Sequence, residues 1–484
     1  MKAASCDVYI ILIANGLLTS RFLQYVERER LINTRGYFLL LYDNRLFRPE
    51  LHYIWNRIVN VMFVRQYDTY KYRSGEQLIY EKIDLNTVYY PSRTKDLTTI
   101  RYIDTWQNGK LRYGNDHYVS KTNNLHGSAL RVAVFEHIPA VTEASRDYYQ
   151  HSNTNSSRAL GIEFELLRVI AKAMNFKPNY YMPSDIASEK WGKVGDNDSY
   201  TGLLGEAIAG NADFFLGDLH YTIHNLNYLD LSTPYNTECL TFLTPESLTD
   251  NSWKLLILPF RVTIDTLAQL TRSSLAVGGW NEKSKEFFLT SSDPQSQEIG
   301  NKFELTENEE DAVNQVENGT FCYYESSYLL RHIRGKRIFE NGNGHRNKSK
   351  KNTESPMKYN LHIMEECFVH MPIALGLEKN SPLKPHVDLW IRRLTEIGLV
   401  RKWLSDVMEE SKINEFQQKL ESEKALVNLR KLYGALIALL IGYFLSFLAL
   451  IGEIIHWKYV VLKDPKYDKY HLDIFYKSKT TFKT

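Results

Sequence analysis

The sequence is short of several things, and each shortage removes a class of function. Cysteine is scarce: Cys6, Cys239, Cys322 and Cys367 are the only four in 484 residues, with no Cys-x-x-Cys pair and no spacing that would cage a metal. No zinc site and no cofactor are expected. No charge sign dominates, since 59 Lys and Arg against 57 Asp and Glu leave +2. That excludes the basic face of a nucleic-acid binder and the acidic tail of a solvating one. The chain lacks Gly-x-Ser-x-Gly, His-Glu-x-x-His, a phosphate loop and a pair of catalytic carboxylates, so no enzyme is expected. Asn341-Gly342-Asn343-Gly344 is a glycine cluster in a polar stretch rather than in a strand-to-helix turn. No arginine lies between Arg168 and Arg261, and no apolar run approaches membrane-spanning length between Trp253 and Leu432.

One stretch breaks the soluble pattern. Leu432 to Gly452 reads LYGALIALLIGYFLSFLALIG, 21 residues without a charge. At about 1.5 Å of rise per residue such a helix matches the hydrocarbon core of a bilayer. Trp457, Lys458 and Tyr459 follow, then Lys463, Lys466 and Lys469. Interfacial aromatics and clustered lysines suit the cytoplasmic side, although Arg430 and Lys431 flank the other end. The expectation is a single-pass protein of the cell membrane, with the lipid bilayer as a partner and the large N-terminal part outside. The extreme N-terminus has two readings. Lys2 and the apolar Val8 to Ala14 suit either a short signal peptide or the first strand of a βαβ unit, followed by the amphipathic LTSRFLQYVERERL and the strand-like GYFLLLYDNRLF. The βαβ reading is favoured, and it implies that the true N-terminus is missing.

Along the chain, 1–127 is tyrosine-rich and carries no usable motif; it is read as a partial N-terminal α/β region. Strand-like Leu130 to Phe135 is followed by a helical pattern from Gly161 to Asn175 with Leu166, Val169, Ile170 and Ala173 on one face. A short strand at Phe176 to Tyr181, a helix at Leu203 to Ile208 and a buried strand at Ala212 to Gly217 complete a first α/β lobe, 128–260. A second α/β lobe spans 261–410, with strands at Ser274 to Gly278, Thr320 to Tyr324 and Cys367 to Leu377. It includes a polar insertion from Asn341 to Asn352 and a long amphipathic helix from Lys384 to Glu410. A helical linker, 411–431, leads to the span, 432–455, and a cytoplasmic tail, 456–484. Two lobes side by side make a hinged clamp, the kind that closes on a small ligand in the cleft between them.

Three blocks give this clamp a likeness: Tyr200-Thr201-Gly202-Leu203-Leu204-Gly205-Glu206, Asn211-Ala212-Asp213, and Leu229-Asp230-Leu231-Ser232-Thr233-Pro234-Tyr235. In order and spacing they resemble the binding core of ionotropic glutamate receptors, and within that superfamily the divergent insect ionotropic receptors of sensory neurons. Lys285-Glu286-Phe287-Phe288, Tyr324-Glu325-Ser326 and Ile397-Gly398-Leu399 extend the likeness, which covers about Leu130 to Trp457. The resemblance implies an α/β fold class: a bilobed, periplasmic-binding-protein-like clamp plus one C-terminal transmembrane helix. It also implies a chemosensory receptor subunit of the ligand-gated cation channel class, assembled with other subunits in a hetero-tetramer. In that family two membrane helices and a pore loop follow a sequence like Trp253 to Phe260. Here Arg261 follows at once, so the chain as given has no pore of its own. A splice form, a gene-model error and a genuine pore-less form, a membrane-tethered binding or regulatory protein, would all read this way.

The resemblance also implies which residues face a ligand or other stimulus. The family's carboxylate-gripping arginine is matched by Asn225, a threonine on the same wall by His220 and a proline by Asp218. The equipment for an α-carboxylate is therefore gone, which argues against glutamate. A serine–threonine pair is matched by Lys283 and Ser284, and Ser284 could offer its hydroxyl at a helix N-terminus. Glu325 matches the acid that holds the ligand's amino group, and is the polar ligand residue retained. Cys322 and Cys367, both in expected strands of the second lobe, are a candidate disulfide or two buried thiols. Asn155, Asn197, Asn318 and Asn347 open glycosylation sequons.

Overall fold

The computed structural model describes residues 6–29, 31–73, 76–90, 100–114, 120–150, 159–193, 199–246, 264–280, 282–347, 360–409, 411–414, 416 and 429–461. Asn155 and Asn197, and the Phe260–Arg261 junction, lie outside them, as does the side chain of Asn347. The chain forms two units. One holds 1–245, 264–357 and 361–415; the other holds 246–263, 358–360 and 416–484.

In the first unit, β1 (Val8–Ile11), β2 (Tyr37–Leu41), β3 (Val61–Arg73), β4 (Glu76–Val88), β5 (Ile100–Gln107) and β6 (Lys110–Leu111) form a six-stranded sheet in that order. β1, β2 and β3 are parallel, and β3 to β6 antiparallel. The helix Gly16–Arg28 crosses between β1 and β2, so this stretch is a βαβ unit. Asn15 caps that helix by accepting from the Leu17 N–H. Its own core gathers Leu23, Phe38, Leu40, Trp55 and Phe63, all fully buried. Charged groups tie this region to the next. Arg35 pairs with Asp230 and donates to the Ser381 carbonyl at 2.9 Å, while Arg57 pairs with Glu27 and Glu378.

The remaining strands are β7 (Ser128–Val134), β8 (Phe176–Tyr181), β9 (Phe214–His220), β10 (Leu229–Leu231), β11 (Asn236–Glu246), β12 (Ala276–Gly279), β13 (Phe303–Leu305), β14 (Phe321–Ser326), β15 (Asn360–Ile363) and β16 (Val369–Glu378). They make one sheet, ordered β13-β12-β14-β11-β16-β9-β7-β8, with β10 added to β16 and β15 to β11. Two α/β lobes share it. β7, β8 and β9 are parallel and belong to the first lobe; β12, β13 and β14 are parallel and belong to the second. The two antiparallel strands β11 and β16 cross from one to the other. β16 pairs with β11 over Val369 to Ile373 and with β9 over Ile373 to Leu377. Hinges of two-lobed proteins are strands of this kind, because small twists along them swing whole lobes.

Each lobe has its own apolar interior. In the first, the helix Ile162–Ala173 lays Leu166, Leu167 and Ile170 on β7 and β9. In the second, Phe242, Phe288, Phe303 and Tyr324 pack edge-on and tilted about one another. Gly202 and Gly205 explain the spacing of the best-matched block. Gly202 has φ +60 and a Cβ there would lie 2.6 Å from the Lys190 carbonyl; a Cβ on Gly205 would lie 2.6 Å from that of Tyr200. The loop before this helix can therefore close only on glycine.

Three sequence expectations change here. The helix expected over Lys384 to Glu410 is two helices, Lys384–Glu396 and Leu399–Val407, broken at Gly398, whose φ of +84 is left-handed. Nor do these helices complete the second lobe. Val387, Ile391, Leu394 and Val400 join the first-lobe core, packed on Ile162–Ala173, because their apolar stripe matches that helix's outer face. The polar run from Asn341, read as an insertion, begins inside a helix, Ser327–Asn347.

The second unit contains the helix Leu429–His456. Within it and the turn that follows, Leu436–Val460 has a mean hydropathy of 2.2 and is buried nowhere. Among the described residues it is the one helix long and apolar enough to cross a membrane.

Candidate functional site

Between the two lobes lies a cavity of about 260 Å³. All five residues singled out from the sequence, Asp218, His220, Asn225, Ser284 and Glu325, line it. The first lobe supplies Asp218 and His220 from the end of β9 and Asn225 from the short helix Ile223–Tyr228. The second supplies Ser284 from the first turn of the helix Glu282–Thr290 and Glu325 from the end of β14. Trp191, Trp280, Phe287 and Tyr324 form its aromatic walls. Trp191 and Trp280 face each other across the cleft with ring centroids 5.3 Å apart.

The backbone under the cleft is shaped by a bulge. β9 and β16 fall out of register between Ala374 and Gly376, and Gly217 and Asp218 take up the slack with φ +148 and +61. A β-bulge re-aims the side chains that follow it. Gly217 is required there, because a Cβ would sit 2.8 Å from that of Phe135. Glu163, fully buried on the first-lobe helix, holds the bulge from below. Its Oε2 accepts from the N–H groups of Gly217 at 2.6 Å and Asp218 at 3.4 Å, and its Oε1 from the Tyr235 hydroxyl at 2.9 Å. The Trp191 indole donates to the Gly217 carbonyl at 2.6 Å, so the same bulge also fixes one aromatic wall.

Charge collects at the cleft floor. Asp218 is fully buried, with its Oδ2 3.0 Å from Nδ1 of His137. Burial pushes the Asp218 carboxyl up, but the bond to His137 and that ring's charge outweigh it and hold Asp218 below the usual carboxylate range. His137 shows the mirror effect: burial lowers it, and the bond and attraction to Asp218 raise it above the ordinary histidine value. Each partner thus favours the charged form of the other. Two neighbouring acids, Glu163 and Glu238, are shifted the other way. Burial, then the charge of Asp218, pushes Glu163 up to about 8 and Glu238 well above its normal range. Burial lowers His220, leaving a neutral imidazole whose Nε2 is 3.8 Å from Oε2 of Glu238. Toward the mouth, burial lowers Lys283 to about 8.

Besides Asp218, two more of the five lining residues are partly occupied. The Asn225 amide donates to the His220 carbonyl at 2.9 Å, which braces the wall. Glu325 accepts from the Ser326 N–H with one oxygen, Oε1, at 3.0 Å. Sequence reasoning missed His137, Glu163, Glu238, Trp191 and Trp280. Two of them left a trace: Glu163 shares the helical face of Leu166, Leu167 and Ile170, and Glu238 is in phase with the inward Leu240 and Phe242 of β11. A carboxylate at a core position is a signal in itself. The two readings left open for Cys322 and Cys367, a bridge between them or two buried thiols, are also corrected. Cys367 is bonded to Cys239, while Cys322 is a fully buried thiol, pushed up to about 12 by burial. The register decides it: Cys239 on β11 lies opposite His370, three residues past Cys367, whereas Cys322 lies opposite Val277 in the interior of β14 and β12. Asn318 is exposed at the end of the helix Glu309–Glu317.

Two α/β lobes, crossed by two strands and closing on an aromatic-walled cavity, define a clamp-type ligand-binding domain. Residues 128–247 match the family model described as the ligated ion channel L-glutamate- and glycine-binding site. That is a family of receptor ligand-binding domains, not of enzymes. Among solved structures, the chain is similar to a Drosophila muscle GluRIIB in complex with glutamate, at 18% identity over 57% of this chain and 97% of the other, with a TM-score of 0.43. It is likewise similar to the iGluR3 ligand-binding domain of Pleurobrachia bachei in complex with glycine, at 18% identity over 60% of this chain and 99% of that one, with a TM-score of 0.43. No curated protein matches the chain.

Proposed function

We propose that the protein is a sensory ionotropic-type receptor subunit whose clamp takes an amine-bearing small molecule. The observation that carries this reading is the convergence of Glu325 and Asp218 with Trp191, Trp280 and Tyr324 on one cavity. Aromatic faces and a carboxylate suit an ammonium group, and the described residues lining the cleft include no arginine to fork onto an α-carboxylate. The matched family model, named for binding glutamate and glycine, supports the receptor class. The apolar helix supports a single pass through the cell membrane. The disulfide between Cys239 and Cys367 suits an oxidising, extracellular compartment for the clamp. The exposed Asn318 is then a site for a glycan.

Calorimetry on the full chain in detergent, with a panel of primary amines and with glutamate, tests the ligand class. An amine is expected to bind, and Glu325→Gln to weaken it about 10- to 100-fold, the worth of one charge-assisted hydrogen bond. Binding of glutamate alone, or amine binding indifferent to Glu325→Gln, overturns the reading.

A second reading, a membrane-tethered binding or regulatory protein without channel activity, is favoured by one observation: no membrane-length apolar run separates Trp253 from Leu432. The mature transcript discriminates. About a hundred extra codons with two apolar runs between those for Phe260 and Arg261 restore a channel subunit; an uninterrupted junction supports the tethered binder, with the pore supplied by partner subunits if the assembly conducts.

A further inference from the structure

We infer that the cleft floor is a binding site for a zinc-class divalent metal ion, held by Asp218, His220 and Glu238. The three residues each offer one ligand atom, and those atoms lie within 4.8 Å of one another. Donor atoms bonded to one zinc ion at about 2.0–2.2 Å sit roughly 3.5 Å apart. His220 Nε2 and Glu238 Oε2 are 3.8 Å apart, so small side-chain rotations close the set.

A second, independent observation points to a ligand. Oδ1 of Asp218, both oxygens of Glu238 and Nε2 of His220 are buried without a hydrogen bond of good geometry among the described residues, while Oδ2 of Asp218 faces Nδ1 of His137 at 3.0 Å. Asp218 and Glu238 are fully buried. Buried polar atoms are normally bonded, and carboxyls left in this state are costly. A cation satisfies several of these lone pairs at once. His137 reaches Asp218 through Nδ1, and Glu238 faces Asp218, Ser326 and His220.

The donor set selects the ion. One neutral imidazole and two carboxylates suit zinc and its neighbours in the transition series; calcium and magnesium prefer all-oxygen shells with six or more ligands. Three protein ligands leave one position open, the pattern of a site that accepts a further group. Asp218 and His220 line the cavity, so that position opens where a small molecule would sit. His137 then acts as a positioning residue, holding Asp218 through its second oxygen. The three ligands stand at 218, 220 and 238 on two strands that meet only through β16, which is why no ligand spacing is visible along the chain. This inference goes beyond the amine reading; the two share Asp218, and the metal test below is read without any amine present.

The test is equilibrium dialysis of the full, metal-stripped chain in detergent against zinc, in competition with a chromophoric chelator. One equivalent is expected for the wild type. His220→Gln and Glu238→Gln are expected to weaken it by about 100-fold or more, since loss of even an outer-shell partner costs 10- to 100-fold. His137→Gln is expected to weaken it about 10-fold. Matching unfolding transitions confirm that the variants are folded. Cobalt added to the wild type gives a readout independent of any variant: weak visible ligand-field bands are expected, without the intense charge-transfer band of a thiolate. No stoichiometric zinc, zinc retained equally by His220→Gln, or a thiolate band reporting Cys6 or Cys322 would each overturn the proposal.

Discussion

Replacing Cys239 with serine is expected to cost the folded chain about 4 kcal/mol, and the double variant Cys239→Ser/Cys367→Ser hardly more. The two cysteines are 128 residues apart in sequence. On the chain-entropy account, cross-linking a loop of that length removes freedom from the unfolded state worth about 5 kcal/mol, and measured losses for native bridges run to about that figure. Near-equality of single and double variants follows because either substitution removes the same bond. The location makes the bond more than a staple. Cys239 lies on β11 and Cys367 just ahead of β16, the two strands that cross between lobes. It fixes their register at the second-lobe end, so that any bending during closure falls on the first-lobe end, where the bulge opposite Gly376 lies. Denaturant unfolding of the full chain in detergent measures the effect. Reductant should bring the wild type down to the variant and leave the variant unmoved. Cys322→Ala should keep its sensitivity to reductant, because that thiol is outside the bond. An unchanged midpoint for Cys239→Ser would remove the bond from the account.

What could be read in the sequence was whatever repeats locally. The alternation in Leu130 to Phe135 and the 3.6-residue stripe of Leu166 to Ala173 named β7 and the helix behind it, because each periodicity reports one buried face. Glycines at 202 and 205, fixed by carbonyls 2.6 Å from where their Cβ atoms would be, made the best-matched block legible as a motif. The five lining residues could be named because aligned positions carry a geometry with them, and they meet at one cavity. What stayed hidden depends on long-range register. The partner of Cys367 is settled by the pairing of β11 with β16, and local pattern carries no information on it. The helix Lys384–Glu396 shows an apolar stripe that fits either lobe; only the exposed face of Ile162–Ala173 decides which. Trp191 and Trp280 read as ordinary aromatics until the lobes bring them within 5.3 Å. Glu163 and Glu238 were legible in principle, as acids standing at core positions of an amphipathic helix and an alternating strand.

Glu163→Ala is expected to lower stability by about 4 kcal/mol, and Glu163→Gln by less than about 1.5. The alanine strips acceptors from two buried backbone N–H groups, those of Gly217 and Asp218, and from the Tyr235 hydroxyl. Each donor left dry costs about 1–3 kcal/mol, and nothing else at that depth can replace the carboxyl. Glutamine differs little from the residue it replaces. With Glu163 pushed up to about 8 by burial and by Asp218, the native side chain is already the neutral acid at pH 7. The amide oxygen can accept from Gly217 and Asp218; only the Tyr235 hydroxyl, which donates to Oε1 in the native chain, must turn to accept from the amide nitrogen instead. The contrast separates a scaffold role from a charge role, because a residue needed for its negative charge would suffer equally from both changes. It also reaches the cleft. The bulge that Glu163 supports positions Asp218 and, through the Gly217 carbonyl, the indole of Trp191. Glu163→Ala should therefore weaken amine binding even at temperatures where the variant is still folded, and Glu163→Gln should leave it within about twofold, since its predicted stability change is small. Unfolding curves and calorimetry on the same preparations give both numbers. Equal losses of stability in the two variants would mean that the carboxylate charge, rather than its geometry, holds the strand.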